Sequence, residues 1–303
     1  MAKNKNTSRK GPRRESAPKR PGVGSSPVAS APKGPNKGSK NKAPARPAPE
    51  AQGSPGGSPW IYGIHPVLAA LANPERVHQR LVVNRDSATA LQSRLTDAVE
   101  TGGKKAMSAE VLDKKELEAL LPPQALHQGL ALLSRLPEPP HLEDLIDAAA
   151  GLDHAVLVIL DQASDPHNIG AVLRSATAFG ALAMVLPDRH TPEVTGVMAK
   201  AASGALELVP MIRVTNLVRA MDRLKEAGFW CIGLDGTAKT TLPQADLPAR
   251  TALVLGAEGA GLRRLSRDHC DLLVRVPIGK TMESLNLSNA AAVALYEYAR
   301  RYP

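Results

Sequence analysis

Residues 155–176 read Ala-Val-Leu-Val-Ile-Leu-Asp-Gln-Ala-Ser-Asp-Pro-His-Asn-Ile-Gly-Ala-Val-Leu-Arg-Ser-Ala. The first six are aliphatic without a polar alternation, which predicts a strand buried on both faces of a sheet. Asp165-Pro166 then makes a turn. After it Ile169, Val172, Leu173 and Ala176 recur at helical spacing on one apolar face. The same strand–loop–helix grammar repeats downstream. Strand-like runs fall at Ala155–Leu160, Leu182–Leu186, Leu206–Leu208, Phe229–Leu234, Ala252–Leu255 and Leu272–Val276. Helical patterns separate them at Asn168–Phe179, Glu193–Ser203, Leu217–Ala227 and Ala260–His269, with a last helix after Asn286. This alternation predicts an α/β fold, a mostly parallel sheet with helices on both faces. Ligands on such sheets bind outside the carboxyl ends of the strands. Polar residues at those ends are therefore the candidates for a site.

Upstream, order begins at Trp60-Ile61-Tyr62-Gly63-Ile64-His65. Helical patches at Val67–Leu71, Ser87–Thr101 and Lys114–Leu121, with strands at Arg80–Val83 and Leu130–Leu133, describe a second, smaller α/β module. Pro137-Glu138-Pro139-Pro140 punctuates its end. The expected divisions are a tail over 1–58, a module over 59–136, a linker over 137–150 and the larger domain over 151–303.

Charge separates the tail from the rest. The chain has 303 residues and a formal net charge of +9, with 43% apolar but only 3% aromatic residues. Residues 1–58 hold 13 Lys and Arg against Glu15 and Glu50, a net of +11, which leaves −2 for the remainder. A Pro-, Gly-, Ser- and Lys-rich segment with little to bury cannot offset its ordering entropy, so disorder is expected there. Such a tail serves either as a solubiliser or as a tether to a polyanion such as nucleic acid. Cys231 and Cys270 lack Cys-x-x-Cys spacing and read as buried free thiols of a reducing compartment. The longest aliphatic run has six residues against about 20 for a membrane helix. A soluble, cytoplasmic protein is expected.

Three blocks lie at strand ends. In the first, Asn168 stands near the start of a helix, with Gly170 and Arg174 one turn apart. Gly170 reads as room beside the guanidinium, and Arg174 is either a site residue or an ordinary surface ion-pair partner. The second, Gly256-Ala257-Glu258-Gly259-Ala260-Gly261, is a Gly-rich strand-to-helix turn. Its spacing is G-x-x-G-x-G and not the dinucleotide G-x-G-x-x-G, and Glu258 would repel a pyrophosphate. That acid suits hydroxyls, amines or positive charge, and it can steady Arg174. The third, Val276-Pro277-Ile278-Gly279-Lys280-Thr281-Met282-Glu283-Ser284-Leu285-Asn286-Leu287-Ser288, ends a strand and enters an Ala-rich helix through capping residues. No block holds a metal-ligand constellation, and His167 stands alone.

Together these blocks resemble the three motifs of the SpoU/TrmH family of RNA 2′-O-ribose methyltransferases, of the SPOUT superfamily. The carriers are Asn168-Ile169-Gly170…Arg174 with Phe179-Gly180, then Gly256-Ala257-Glu258-Gly259-x-Gly261, then Pro277…Ser284-Leu285-Asn286-Leu287-Ser288 with Tyr296-Glu297. Tyr62-Gly63-Ile64-His65-Pro66-Val67 and His127-Gln128-Gly129 resemble the ends of the family's L30e-like substrate-binding module. The two-domain form is most similar to bacterial members that methylate a guanosine of 23S ribosomal RNA; transfer RNA is the alternative substrate, and a non-catalytic RNA-binding protein a second alternative. The resemblance implies a C-terminal trefoil knot, a homodimer packed through the Ala-rich helix, and S-adenosyl-L-methionine as donor. It implies cofactor contacts from Leu234, Gly256, Val276, Ile278 and Leu285. It implies catalytic positions at Asn168, Arg174, Glu258, Ser284 and Asn286. Lys280 and Asn289 depart from the family pattern.

Overall fold

The computed structural model describes residues 58–103, 107–279 and 281–303. The expected tail, apart from Ser58, and Lys280 lie outside them. The elements run β1 (Trp60–Tyr62), α1 (Ile64–Ala72), β2 (Val77–Asn84), α2 (Arg85–Thr101), β3 (Glu110–Leu112), α3 (Lys114–Ala119) and β4 (Leu130–Arg135) in the first part. After α4 (Leu142–Ala150) come β5 (Ala155–Leu160), α5 (Pro166–Ala178), β6 (Ala183–Pro187), α6 (Gly196–Ala202), β7 (Met211–Val214), α7 (Leu217–Glu226) and β8 (Trp230–Leu234). The chain ends with β9 (Thr240–Thr241), β10 (Arg250–Leu255), α8 (Arg264–Asp268), β11 (Leu272–Arg275) and α9 (Leu287–Ala299).

Two sheets result. The first has the order β1-β4-β2-β3, antiparallel except where β3 runs parallel to β2. The second has the order β7-β6-β5-β10-β8-β11-β9, and every pairing in it is parallel. The α/β expectation with a parallel sheet holds. All six residues of β5 are buried, so the strand is covered on both faces as its unbroken aliphatic run requires. One face packs Ile169, Val172, Leu173 and Ala176 of α5, all fully buried, together with Ala291, Ala294 and Leu295 of α9. Burying an Ile or Leu stabilises by roughly 1.5–3 kcal/mol. The other face packs α7 and, through Leu145 and Ala149, α4 within the stretch expected to be a linker.

Three expectations are corrected. Leu206–Leu208 is not a strand: Ala205–Glu207 is a 3₁₀ turn, entered through Ser203 and Gly204 at φ 52° and 100°. The edge strand is instead β7, just past Pro210. The helix expected over Ala260–His269 shrinks to α8, because Gly259 and Gly261 both take positive φ (80° and 68°) and hold the chain in a turn. Gly170 does not make room for Arg174. A Cβ there would meet Met198 O at 2.4 Å and Ala201 Cβ at 2.7 Å, so this glycine lets α5 and α6 touch.

The smaller sheet is packed onto the larger domain. Gly196 at the start of α6 leaves no space for a Cβ against Tyr62 and Trp60, and Ala199 joins the core beneath the smaller sheet. Arg76, 1% exposed, pairs with Glu207 and donates from Nε to Ser134 Oγ at 2.8 Å. No described helix is long and apolar enough to cross a membrane.

Candidate functional site

The carboxyl ends of β8, β10 and β11 open on one cavity of about 480 Å³. That volume suits a nucleoside-sized ligand. Leu234, Gly256, Val276, Ile278 and Leu285, the five residues assigned to cofactor contact, all line it, as do Glu258 and Ser284. The floor is backbone. Ala257 N donates to Gly261 O (3.0 Å) and Gly261 N to Ala257 O (2.9 Å), closing the Gly-rich turn. A Cβ on Gly256 would lie 2.0 Å from Gly261 C and 2.2 Å from Leu262 N. Only glycine permits that turn. The turn is clamped from the first block's side by Asp161, fully buried at the end of β5, which accepts from Arg263 N (3.1 Å) and Arg263 Nε (2.6 Å).

At the rim three predicted residues converge. Asn168 Nδ2 donates to Glu258 Oε2 at 3.2 Å. Asn286 Nδ2 donates to Glu258 Oε1 at 3.0 Å and to Asn168 Oδ1 at 3.1 Å. Local chemistry sets each partner. Asp165 caps α5 by accepting from His167 N (2.9 Å), with Pro166 in the first turn, which places Asn168 three residues past the cap. Asn286 caps α9, its Oδ1 accepting from Ser288 N (2.8 Å) and Oγ (2.6 Å). With its Oδ1 so engaged, the Asn286 amide hydrogens are directed to Glu258. Glu258 is solvent-exposed, and its carboxylate is held by the two asparagines and not by Arg174.

Arg174 stands apart. It is exposed, has no hydrogen-bond or ion-pair partner among the described residues, and lines a different cavity of about 690 Å³. That cavity lies between the two parts of the fold, with Tyr62 and Gln124 on one wall and His167, Lys200 and Ser288 on the other. Burial lowers the pKa of Lys200 and raises that of Tyr62. The two cavities share no lining residue. The structure thus joins Asn168, Glu258 and Asn286, places Ser284 in the cavity lined by the five residues assigned to cofactor contact, and leaves Arg174 outside it. Asn289 is exposed beside Arg174.

Sequence reasoning missed Asp161 and Asp235, each the first residue after a strand. Asp235 Oδ1 accepts from Thr237 N (2.8 Å) and Oγ1 (2.7 Å), and Arg267 pairs with the carboxylate at the cavity wall. Burial pushes its pKa up, but the Thr237 hydrogen bonds and the Arg267 charge together bring it below the ordinary carboxylate range.

Comparison with known proteins decides the family. The pattern of the SpoU rRNA methylase family matches residues 155–296, and that of RNA 2′-O ribose methyltransferase substrate binding matches residues 60–140. The chain is 40% identical over 246 residues to the 23S rRNA (guanosine-2′-O-)-methyltransferase RlmB of Xylella fastidiosa, covering 80% of this chain and 96% of that one. The chain belongs to the SpoU family. The Escherichia coli enzyme of the same name is also 40% identical, over 248 residues, 80% of this chain and 99% of its own. Among solved structures, the SpoU methyltransferase AviRb from Streptomyces viridochromogenes, in complex with AdoMet, shares the fold with a TM-score of 0.66 at 23% identity, covering 81% of this chain and 91% of that one. An AdoMet-bound rRNA methyltransferase from Sinorhizobium meliloti gives 0.64 at 22%, covering 81% and 87%. The match to the substrate-binding pattern coincides with the first sheet, and the match to the methylase pattern spans all three blocks.

Proposed function

We propose that this chain transfers a methyl group from S-adenosyl-L-methionine to the 2′-oxygen of a guanosine ribose in 23S ribosomal RNA. It works in the cytoplasm as a homodimer, with a trefoil knot at its C-terminal end and the L30e-like module, residues 59–136, gripping RNA. The observation that carries the reading is the Asn168–Glu258–Asn286 network at the rim of a nucleoside-sized cavity that is lined by all five residues assigned to the cofactor.

The residues fit that cofactor. Gly256, with no room for a side chain, lets backbone approach a flat nucleoside, and Leu234, Val276, Ile278 and Leu285 supply apolar contacts. When bound, the cofactor supplies a methyl group already activated by its sulfonium charge, so the protein has mainly to align the acceptor. Asn168 and Asn286 fix Glu258, and the fixed carboxylate offsets positive charge at the rim. The guanidinium of Arg174 favours loss of the proton from a ribose hydroxyl laid against it by stabilising the oxyanion that forms. The proton leaves to an RNA phosphate oxygen or to water. Held against Leu234, Gly256, Val276, Ile278 and Leu285, the cofactor would supply the methyl carbon to the ribose oxygen and keep its sulfur as a neutral thioether. The need for a 2′-hydroxyl makes RNA the substrate and excludes DNA.

The placement of Arg174 supports the homodimer. In one chain it faces a cavity separate from the cofactor's, so a second copy brings an arginine to the methyl group. Val293 and Tyr296, 41% and 57% exposed on α9, offer the apolar face for that contact, while Ala291 and Ala294 bury within the chain itself.

The test is incubation with a labelled methyl donor and separate pools of unmethylated 23S ribosomal RNA and transfer RNA, with mapping of the product. Label is expected on one guanosine of the ribosomal RNA and is lost when that nucleotide carries 2′-deoxyribose. Label confined to transfer RNA, or persisting on the deoxyribose, refutes the assignment.

A further inference from the structure

At the other half of the same sheet edge lies a second polar cavity, about 600 Å³, at the carboxyl ends of β6 and β7. Its walls include Arg189 and His190 after β6, Thr215 and Asn216 after β7, and Arg263 and Arg264 at the start of α8. Among the described residues, no Asp or Glu lines it. Arg263 is committed to the buried Asp161, so it adds shape and donors but little net charge. Arg264 reaches Asp268 only through an exposed 3.5 Å pair, the kind worth about 0–1 kcal/mol. Arg189 has no hydrogen-bond or ion-pair partner among the described residues, and the neighbouring Asp188 lies 4.0 Å from Arg213.

This concentration of positive charge runs against the composition of its surroundings. Residues 59–303 carry a net of −2, so a random surface of this body would be slightly acidic. The cavity also opens at the start of α7, a ten-residue helix whose cap Asn216 and first residues Leu217 and Val218 line it, with Asn216 Oδ1 accepting from Arg219 N (3.1 Å). A helix start adds positive potential to that of the arginines.

We infer that this cavity holds a backbone phosphate of the substrate RNA; the inference rests on the proposed function. Distance favours it. β6 and β7 are two and three strands from β10, which carries the Gly-rich turn of the cofactor cavity. At about 4.8 Å between strands, β6 and β7 lie roughly 10–14 Å from β10. Phosphates a few nucleotides from a ribose placed at the cofactor cavity fall within that span. The segment 262–267 also serves both cavities: Leu262 and Arg267 line the cofactor side, Arg263 and Arg264 the basic side. An RNA strand held here is therefore held in register with the site of chemistry, while the contacts themselves read no base.

The test uses the full chain and a fluorescein-labelled, unmethylated 23S ribosomal RNA transcript in anisotropy titrations across a salt series. Arg189→Gln/Arg264→Gln is expected to weaken binding about tenfold at low salt and to reduce the slope of log K against log salt by about 1, the share of one phosphate contact. Arg189→Lys/Arg264→Lys is expected to keep most of the slope. S-adenosylhomocysteine affinity, measured by calorimetry, should be unchanged in both. An unaltered slope and affinity for the Gln variant, with cofactor-product binding intact, overturns the inference and leaves the function standing. A wild-type chain that binds the product but no RNA overturns the function and the inference together.

Discussion

Replacing Glu207 by Ala should destabilise the protein by about 3–5 kcal/mol, the penalty for breaking one side of a buried ion pair. Arg76 is 1% exposed, and the Glu207 side chain is 6% exposed. Glu207 Oε1 takes the guanidinium while Oε2 accepts from Asn73 Nδ2 at 2.8 Å, so one carboxylate ties two residues beside the smaller sheet to the 3₁₀ turn beside the larger one. An exposed pair would be worth only about 0–1 kcal/mol, and a neutral hydrogen bond about 0.5–1.5 kcal/mol. The predicted loss lies well outside both, and is a large part of a typical total stability of about 5–15 kcal/mol. The two tryptophans make the assay informative, because Trp60 sits in β1 of the module and Trp230 in β8 of the domain. In urea, Trp60→Phe and Trp230→Phe backgrounds should unfold with coincident midpoints when Glu207 is present. With Glu207→Ala, the Trp60 signal should move first. Replacing both members, Arg76→Leu with Glu207→Leu, should recover most of the loss, since no buried charge is then left behind. A Glu207→Ala loss below 1 kcal/mol would show that water reaches the pair and would refute the argument.

Arg174→Ala should retain product binding in calorimetry and lose at least a hundredfold in methyl transfer. Mixing it with a variant lacking the cofactor cavity should restore part of the activity through mixed dimers, and complete failure to complement would refute the two-copy site. Gly256→Ala should abolish product binding and lower stability by about 1–3 kcal/mol, because the added Cβ meets only backbone of Gly261 and Leu262; binding at wild-type affinity would refute the tight turn. Burial pushes the thiols of Cys231 and Cys270 up to about 12, with the Asp271 charge adding to it. At pH 8 both are then neutral and should resist iodoacetamide until denaturant is added; rapid alkylation of either in the native protein would contradict the packing around β8.

Sequence reading worked where one physical cause dominated. Ala155–Leu160 was legible to the residue, because six aliphatic side chains can only be satisfied between two covered faces. Asn168 and Asn286 were legible as helix-start residues, since a side-chain oxygen near the first free amides is a local requirement. What failed depended on the chain's return through space. Leu206–Leu208 looks like a strand, but two left-handed residues before it turn the backbone and pass the edge position to Met211–Val214. Gly170 looks like clearance for a neighbour on its own helix, whereas its function is contact with α6, thirty residues away. Asp161 and Asp235 carry no periodic signal. Their roles appear only when Arg263 and Arg267 arrive from the far side of the Gly-rich turn.

The same distinction explains why Glu258 and Arg174, which the sequence allows to pair, do not. Glu258 lies in the turn after β10 and Arg174 on α5, the helix after β5, and on sequence alone an acid and a base near one sheet edge invite pairing. Asn286 decides otherwise. Its carbonyl oxygen is consumed in capping α9, its amide is thereby aimed at Glu258, and Asn168 closes the triangle. Glu258 therefore has its donors without a cation, and Arg174 is left with its charge unspent. A guanidinium kept solvent-exposed and free of any local acid is in the state suited to meeting the anionic backbone and ribose of RNA. The neutral asparagine pair is what keeps it so: an arginine or lysine at either position would pair with Glu258 and fill the rim of the cofactor cavity.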